Sequence, residues 1–262
     1  MKKIIQYAII IVIVILAVAA FLIFRNFSWN KITSYSVTPT PFSSPNISFE
    51  VASEKEFKEF ETMLKNYPEA QKLLVKAEDA ANKIKSDSNN YDLYIESGLY
   101  WNGMGDYILT SLDKKNSVLF YNKAIKVYQK AIEVSSGKAW IPYLNLGNTM
   151  KKIGDFTGAE KSYRETLNIA PGEGMLWINL VEFYRFDLKK NSEEIKQVYK
   201  DGLKRVVVNA DLLRDFAGYL RDIGEIKDAL DIYKQLLEKY PENKGIQDQI
   251  KELERELNQP QL

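Results

Sequence analysis

A chain of 262 residues, 45% hydrophobic and 27% charged, is long enough for one elongated array or one large domain with attachments, and too apolar to be disordered. It has no cysteine and no histidine, which removes disulfides, thiol nucleophiles, the commonest zinc ligands and the usual general base near neutral pH. Lys2, Lys3, Arg25 and Lys31 stand without an acid before Glu50; from there on 32 basic side chains face 35 acidic ones, a formal charge of −3 that argues against nucleic acid as a partner.

From Ile4 to Phe24 the chain runs 21 residues without a charge, with only Gln6 and Tyr7 as polar interruptions. As a helix this segment would be about 31 Å long, the thickness of a bilayer's hydrocarbon core. A cleaved signal peptide is the alternative, and Ala17-Val18-Ala19 fits a cleavage pattern, but Phe21 to Phe24 continue the apolar run beyond it. The expectation is therefore a retained anchor over residues 4–24, behind a cytoplasmic tail of residues 1–3. The flanking charges are nearly balanced, so orientation rests on the short tail and on the stalk-like segment after the anchor. That linker, residues 25–49, holds Thr38-Pro39-Thr40-Pro41 and Ser43-Ser44-Pro45 and should be extended. Together these segments predict a single-pass membrane protein with a cytoplasmic N-terminus and its folded part outside. The excess of 29 lysines over 7 arginines suggests a microbial source, and with it a bacterial envelope.

Residues 50–90 predict a helical pair, Ser53 to Lys65 and Pro68 to Lys85, with Pro68 placed in a first turn and Ala70, Leu73, Leu74, Ala77 and Ala81 along one face. The pair reads either as a degenerate repeat or as an N-terminal cap. Next, Tyr94, Gly98, Trp101 and Gly105-Asp106 suggest a first helix and turn, and Ala124, Tyr128, Ala131 and Ile132 a second helix, with 14 residues more between them than in the later units. Because 14 residues are close to four turns, lengthening each helix by about seven keeps both apolar faces in phase and moves the turn to Asp113–Asn116. A loop using Ile108, Leu109 and Phe120 is the competing reading of the insertion at 106–119.

The clearest unit spans 140–173. Tyr143, Leu146, Gly147 and Met150 share one helix face, Gly154-Asp155 supply a turn, and Ala159, Tyr163, Thr166 and Leu167 share a second face that closes at Pro171. Residues 174–209 repeat it with Trp177, Leu180, Tyr184, Ile195, Tyr199, Gly202 and Leu203, carrying two extra residues near Lys189-Lys190 and departing from the pattern at Val181 and Gly202. Residues 210–244 repeat it again through Leu213, Phe216, Ala217, Leu220, Gly224, Ala229, Tyr233, Leu237 and Pro241. These residues resemble the tetratricopeptide repeat, a 34-residue helix-turn-helix unit. The resemblance covers about residues 91–258, takes in 91–139 as a unit with an insertion, and leaves 245–262 as a capping helix, with Ile246, Ile250, Leu253 and Leu257 as its apolar stripe, and tail. It implies an all-α fold of helix pairs stacked into a right-handed superhelix, to which the N-terminal transmembrane helix would be added.

Chemistry is harder to find. Gly103-Met104-Gly105 lacks the lysine and hydroxyl residue of a phosphate loop; Asp87, Asn89 and Asp92 lack the glycine and terminal glutamate of a calcium loop; Glu193-Glu194 read as a solvated helix face. No catalytic residue, metal ligand or cofactor site is assigned, and no enzyme activity is expected. The family resemblance instead implies a concave groove lined by each repeat's first helix. It would hold Leu144, Asn145, Asn148 and Lys152, then Ile178, Asn179, Glu182 and Arg185, and finally Arg214, Gly218 and Arg221. Carboxamides there could hold a peptide backbone, and the cations could attract acidic groups, although Asp211 and Asp215 stand where a carboxylate clamp would need positive charge. The expected function is a membrane-anchored scaffold that binds a protein or peptide partner as an adaptor or assembly factor at the envelope. A self-associating structural component, with Tyr184, Phe186 and Tyr219 packing on a second copy, and an accessory domain of an envelope enzyme complex are the alternatives.

Overall fold

A computed structural model describes residues 52–111, 113–207 and 210–258. Among them every regular element is a helix: α1 (Glu54–Met63), α2 (Pro68–Ser86), α3 (Tyr91–Thr110), α4 (Lys114–Val134), α5 (Trp140–Ile153), α6 (Phe156–Ile169), α7 (Gly174–Glu182), α8 (Ser192–Arg205), α9 (Ala210–Asp222), α10 (Ile226–Lys239) and α11 (Lys244–Asn258). A 3₁₀ turn, Leu64–Asn66, follows α1, and a π-helical turn, Phe183–Asp187, extends α7. The helices pack as successive hairpins, α3 with α4, α5 with α6, α7 with α8 and α9 with α10, each resting on the next, with α11 against α10.

The single-pass membrane location is corrected here. Among the described residues no helix is long and apolar enough to cross a membrane. The two longest, α3 and α4, carry charges along their length: Asp92, Glu96 and Asp106 in the first, Lys123, Lys126 and Lys130 in the second. The tail, anchor and linker assigned to residues 1–49 lie outside the described residues.

Local sequence sets the helix limits. Ser53 and Glu56 form a reciprocal capping box at the start of α1, and Asn191 with Glu194 does the same for α8. Pro68 opens α2, where its missing N–H costs nothing. Gly154 closes α5 at φ +86, a left-handed conformation that a side chain would resist, and Asp155 then accepts from the Gly158 N–H at 2.9 Å to start α6.

The first three repeat hairpins each set an aromatic ring on a small residue. Gly147 of α5 lies against Tyr163 of α6. In α3 two glycines do this, Gly98 against Tyr128 and Gly105 against Tyr121, and a Cβ on either would come within 3.0 Å of the ring. The second pair lies seven residues from the first on both helices, which is how the insertion is accommodated: α3 and α4 are 20 and 21 residues long, against 14 for each of α5 and α6. Gly105-Asp106 is therefore helix interior, and Asp113 caps α4 by accepting from the Asn116 N–H at 3.1 Å. The third hairpin reverses the arrangement: buried Val181 fills the glycine's place on α7, and Gly202 of α8 receives Trp177. Ala217, fully buried, is the small residue of α9.

The longer first hairpin does not stand bare. Phe57 and Phe60 of α1 pack on Trp101, Phe60 also meets Phe120, and Lys123 of α4 pairs with Glu56 at 2.5 Å. That hydrogen bond from Lys123 holds the Glu56 carboxyl below its ordinary range, so its contribution to holding α1 is complete above the free glutamate pKa and fades as pH falls through the lowered value.

Gly105→Leu, which forces a branched side chain into the Tyr121 ring, is expected to cost about 2 kcal/mol or more and to lower the thermal midpoint by roughly 5 °C. Circular dichroism melts of the two proteins check this, and an unchanged midpoint would contradict the packing.

Candidate functional site

The face offered by the first helices, α3, α5, α7 and α9, is crossed by ion pairs that link one repeat to the next. Lys152 of α5 reaches back to Asp106 of α3 at 2.7 Å and 2.8 Å and to the Asn102 side-chain oxygen at 3.3 Å. Lys151 reaches forward to Asp187 at 3.5 Å. Arg185, in the π turn, donates to Asp222 of α9 at 2.7 Å and lies over the rings of Phe186 and Tyr219, 5.0 Å and 4.8 Å from their centres. Arg221 donates to Glu252 of α11 at 2.7 Å and to Glu256, fixing the last helix. Lys196 of α8 joins Glu225 at 2.7 Å, so the second helices are tied as well.

Tyrosine hydroxyls complete the network. Tyr121 donates to Asp106 at 2.8 Å, Tyr163 to Asn148 at 2.6 Å, and Tyr199 to Asp215 at 2.6 Å. The first two bonds close a hairpin; the third crosses from α8 to α9. Tyr184 donates to Glu160 at 2.6 Å and also meets Arg164. Burial, with the carboxylate bonds of Tyr121, Tyr184 and Tyr199, pushes all four phenols well above the ordinary tyrosine value, so they stay neutral donors.

The π turn absorbs the two extra residues of the third repeat. Leu188 donates its N–H to the Phe183 carbonyl at 3.0 Å and Lys190 donates to that of Tyr184 at 2.9 Å, which closes the wide turn. Tyr184, Arg185 and Asp187 leave it toward α6, α9 and α5. Such turns are common at functional sites, and this one positions one wall of a depression.

That depression, about 410 Å³, lies between α7 and α9 and is lined by Ile178, Arg185, Asp211, Arg214, Asp215, Gly218, Tyr219 and Asp222. The structure thus brings together Ile178, Arg185, Arg214 and Gly218 of the expected groove. Leu144 and Asn145 are half-buried on α5, and Asn148 beside them is engaged by Tyr163. Asn179 is half-buried and Glu182 exposed on α7. Among the described residues the Asn145 and Asn179 carboxamides have no hydrogen-bond partner, so two of the three asparagines can meet a ligand. The cations are not free: Lys152, Arg185 and Arg221 are inter-repeat ties, and Arg214 pairs with Asp211 at 2.9 Å. Of the apolar surface expected to self-associate, Tyr184 and Tyr219 are buried within the chain, and only Phe186 is exposed.

Sequence reasoning missed Tyr219 and Asp222 as groove residues and did not foresee that acids would occupy the cations. A signal was present: Asp211, Asp215, Gly218 and Asp222 recur at helical spacing, on one face of α9.

A tetratricopeptide repeat family profile matches residues 217–243. The match spans the second half of α9 and all of α10, the hairpin with buried Ala217, Ala229 and Tyr233. The chain therefore contains a tetratricopeptide repeat, set in a stack of helical hairpins among the described residues. Nothing among curated proteins matches it. Among solved structures it is similar to the crystal structure of PilW, described as a widely conserved type IV pilus biogenesis factor, at 16% identity and a TM-score of 0.39, over 75% of this chain and 99% of that one. A likeness of that size carries no argument about fold or function.

Arg221→Ala is expected to loosen the last helix selectively. Two half-exposed carboxylates lose their cation, a change worth about 1 kcal/mol, so amides of α11 should exchange about fivefold faster while those of α5 and α6 are unaltered. Hydrogen exchange measured by mass spectrometry reads this directly; uniform exchange across the array would contradict it.

Proposed function

We propose that this protein is a repeat scaffold that holds a protein or peptide partner along the face of its first helices, acting as an adaptor or assembly factor. The observation that carries the reading is the open depression between α7 and α9; Asn179, a carboxamide with no internal partner, follows its lining residue Ile178 in sequence. A carboxamide can donate to and accept from an extended backbone without reading its sequence. The inter-repeat ties support the same reading, because they hold adjacent first helices in fixed relation and reduce the ordering cost of binding. Leu144, Asn145, Ile178, Asn179 and Glu182 are the proposed contacts, and Arg214, paired with Asp211, lines the depression beside them. Asn148, Lys152, Arg185 and Arg221 are assigned to shaping the surface, since their polar groups already have partners.

A photoreactive amino acid placed at Asn179 or Arg214 of the full chain, in the native cell, is expected to crosslink one discrete set of proteins. The same residue at Lys200, exposed on α8, should give at least tenfold less of that set. Equal yields from all three positions would overturn the groove as the binding surface.

A further inference from the structure

Among the glycines inside the repeat helices, one has no packing contact that calls for a glycine. Gly218 lies inside α9 with a helical backbone, and a Cβ built on it would meet nothing within 4 Å. The other interior glycines of the repeat hairpins receive a ring or a side chain, as Gly98, Gly105, Gly147 and Gly202 do, and Gly154 and Gly224 sit at positive φ in turns. Glycine inside a helix is unfavourable, so an unexplained one marks a place where something outside the chain comes close. The equivalent positions of the two preceding repeats, 34 and 36 residues apart, carry Asn148 and Glu182. At Gly218 that polar wall is missing, and the gap opens onto the depression between α7 and α9.

The charge around the opening has a sign. Arg185 is taken by Asp222 and Arg214 by Asp211. Asp215 lines the same depression; its carboxylate is held by a neutral donor, Tyr199, and has no cationic partner among the described residues. One Asp215 oxygen is thus oriented by the tyrosine, whose hydroxyl also feels Arg185, and the lining as a whole holds three aspartates against two arginines, a formal excess of one negative charge. We propose that the depression receives an extended segment of a partner protein, whose backbone crosses Gly218 and whose lysine or arginine side chain pairs with Asp215. This rests on the peptide-binding reading above and specifies the chemistry of its ligand. The opposite preference, for an acidic segment or a terminal carboxylate, would require a free cation, and the two arginines of the depression are already paired.

The test is a selection of random nonapeptides displayed on phage against the full chain and two variants, Gly218→Leu and Asp215→Asn. The parent protein is expected to enrich peptides with lysine or arginine at one position. Asp215→Asn keeps an acceptor for Tyr199 and should still select peptides, but without that basic preference. Gly218→Leu should reduce recovery at least tenfold; Gly218→Ala, with nothing to clash against inside the protein, should raise the thermal midpoint by roughly 2 °C and still weaken recovery. Peptides selected by the parent without basic enrichment, or with acidic enrichment, would overturn this inference and leave peptide binding standing. Recovery of no peptide by the parent would overturn both. A lower midpoint for Gly218→Ala would show that the fold itself requires the glycine, and would remove the basis of the proposal.

Discussion

The contact on which this fold depends is an aromatic ring laid on a residue with little or no side chain. Where Gly98, Gly105 and Gly147 stand, two helix backbones approach closely enough for the tyrosine of the second helix to lie across the first. The ring supplies apolar burial, and in Tyr121 and Tyr163 the hydroxyl also reaches a polar group. Tyr121 and Tyr163 find Asp106 and Asn148, each the residue after the glycine, so one side chain closes the hairpin and orients a residue of the groove. Asp106 in turn takes Lys152 from the next repeat. Packing within a hairpin and registration between hairpins are thereby parts of one arrangement.

In the third hairpin the contact is altered, and the neighbouring bonds change with it. With Val181 in place of the glycine, the small residue moves to the other helix as Gly202, and Tyr199 turns its hydroxyl to Asp215 of the neighbouring repeat. The same repeat carries the π turn, from which Arg185 crosses to Asp222. Two bonds thus run from the third repeat into the first helix of the fourth, and the depression lies between them. The departure from the repeat pattern and the candidate site fall at one junction, a place where local irregularity serves binding better than regular packing.

The repeat architecture was legible in the sequence because glycine, tyrosine and leucine at helical spacing are direct records of packing: Gly147 meets Tyr163, and Ala159 is fully buried, as their spacing requires. The insertion was legible in the same terms, since seven residues added to each helix repeat the glycine–tyrosine contact in phase. The groove was read less well. Spacing shows that Lys152, Arg185 and Arg221 share a side of their helices, but their partners Asp106 and Asp222 belong to other repeats and Glu252 to the last helix, and side-chain reach across a helix interface has no short-range signature. Gly218 was visible as a groove residue, yet its significance depends on empty space around it, which only three-dimensional packing reveals.

Arg185 is committed between repeats and Arg214 to Asp211 of its own helix, leaving a preformed depression lined by three aspartates against two arginines. A double-mutant cycle on Arg185→Ala and Asp222→Ala, measured by denaturant unfolding, tests the inter-repeat tie most directly. The account predicts a coupling of roughly 0.5–1 kcal/mol, the range for a partly exposed pair held in place by stacking on Tyr219. Strict additivity of the two substitutions would show that Arg185 is free to meet a ligand, and would contradict the assignment of charge on which the binding surface has been built.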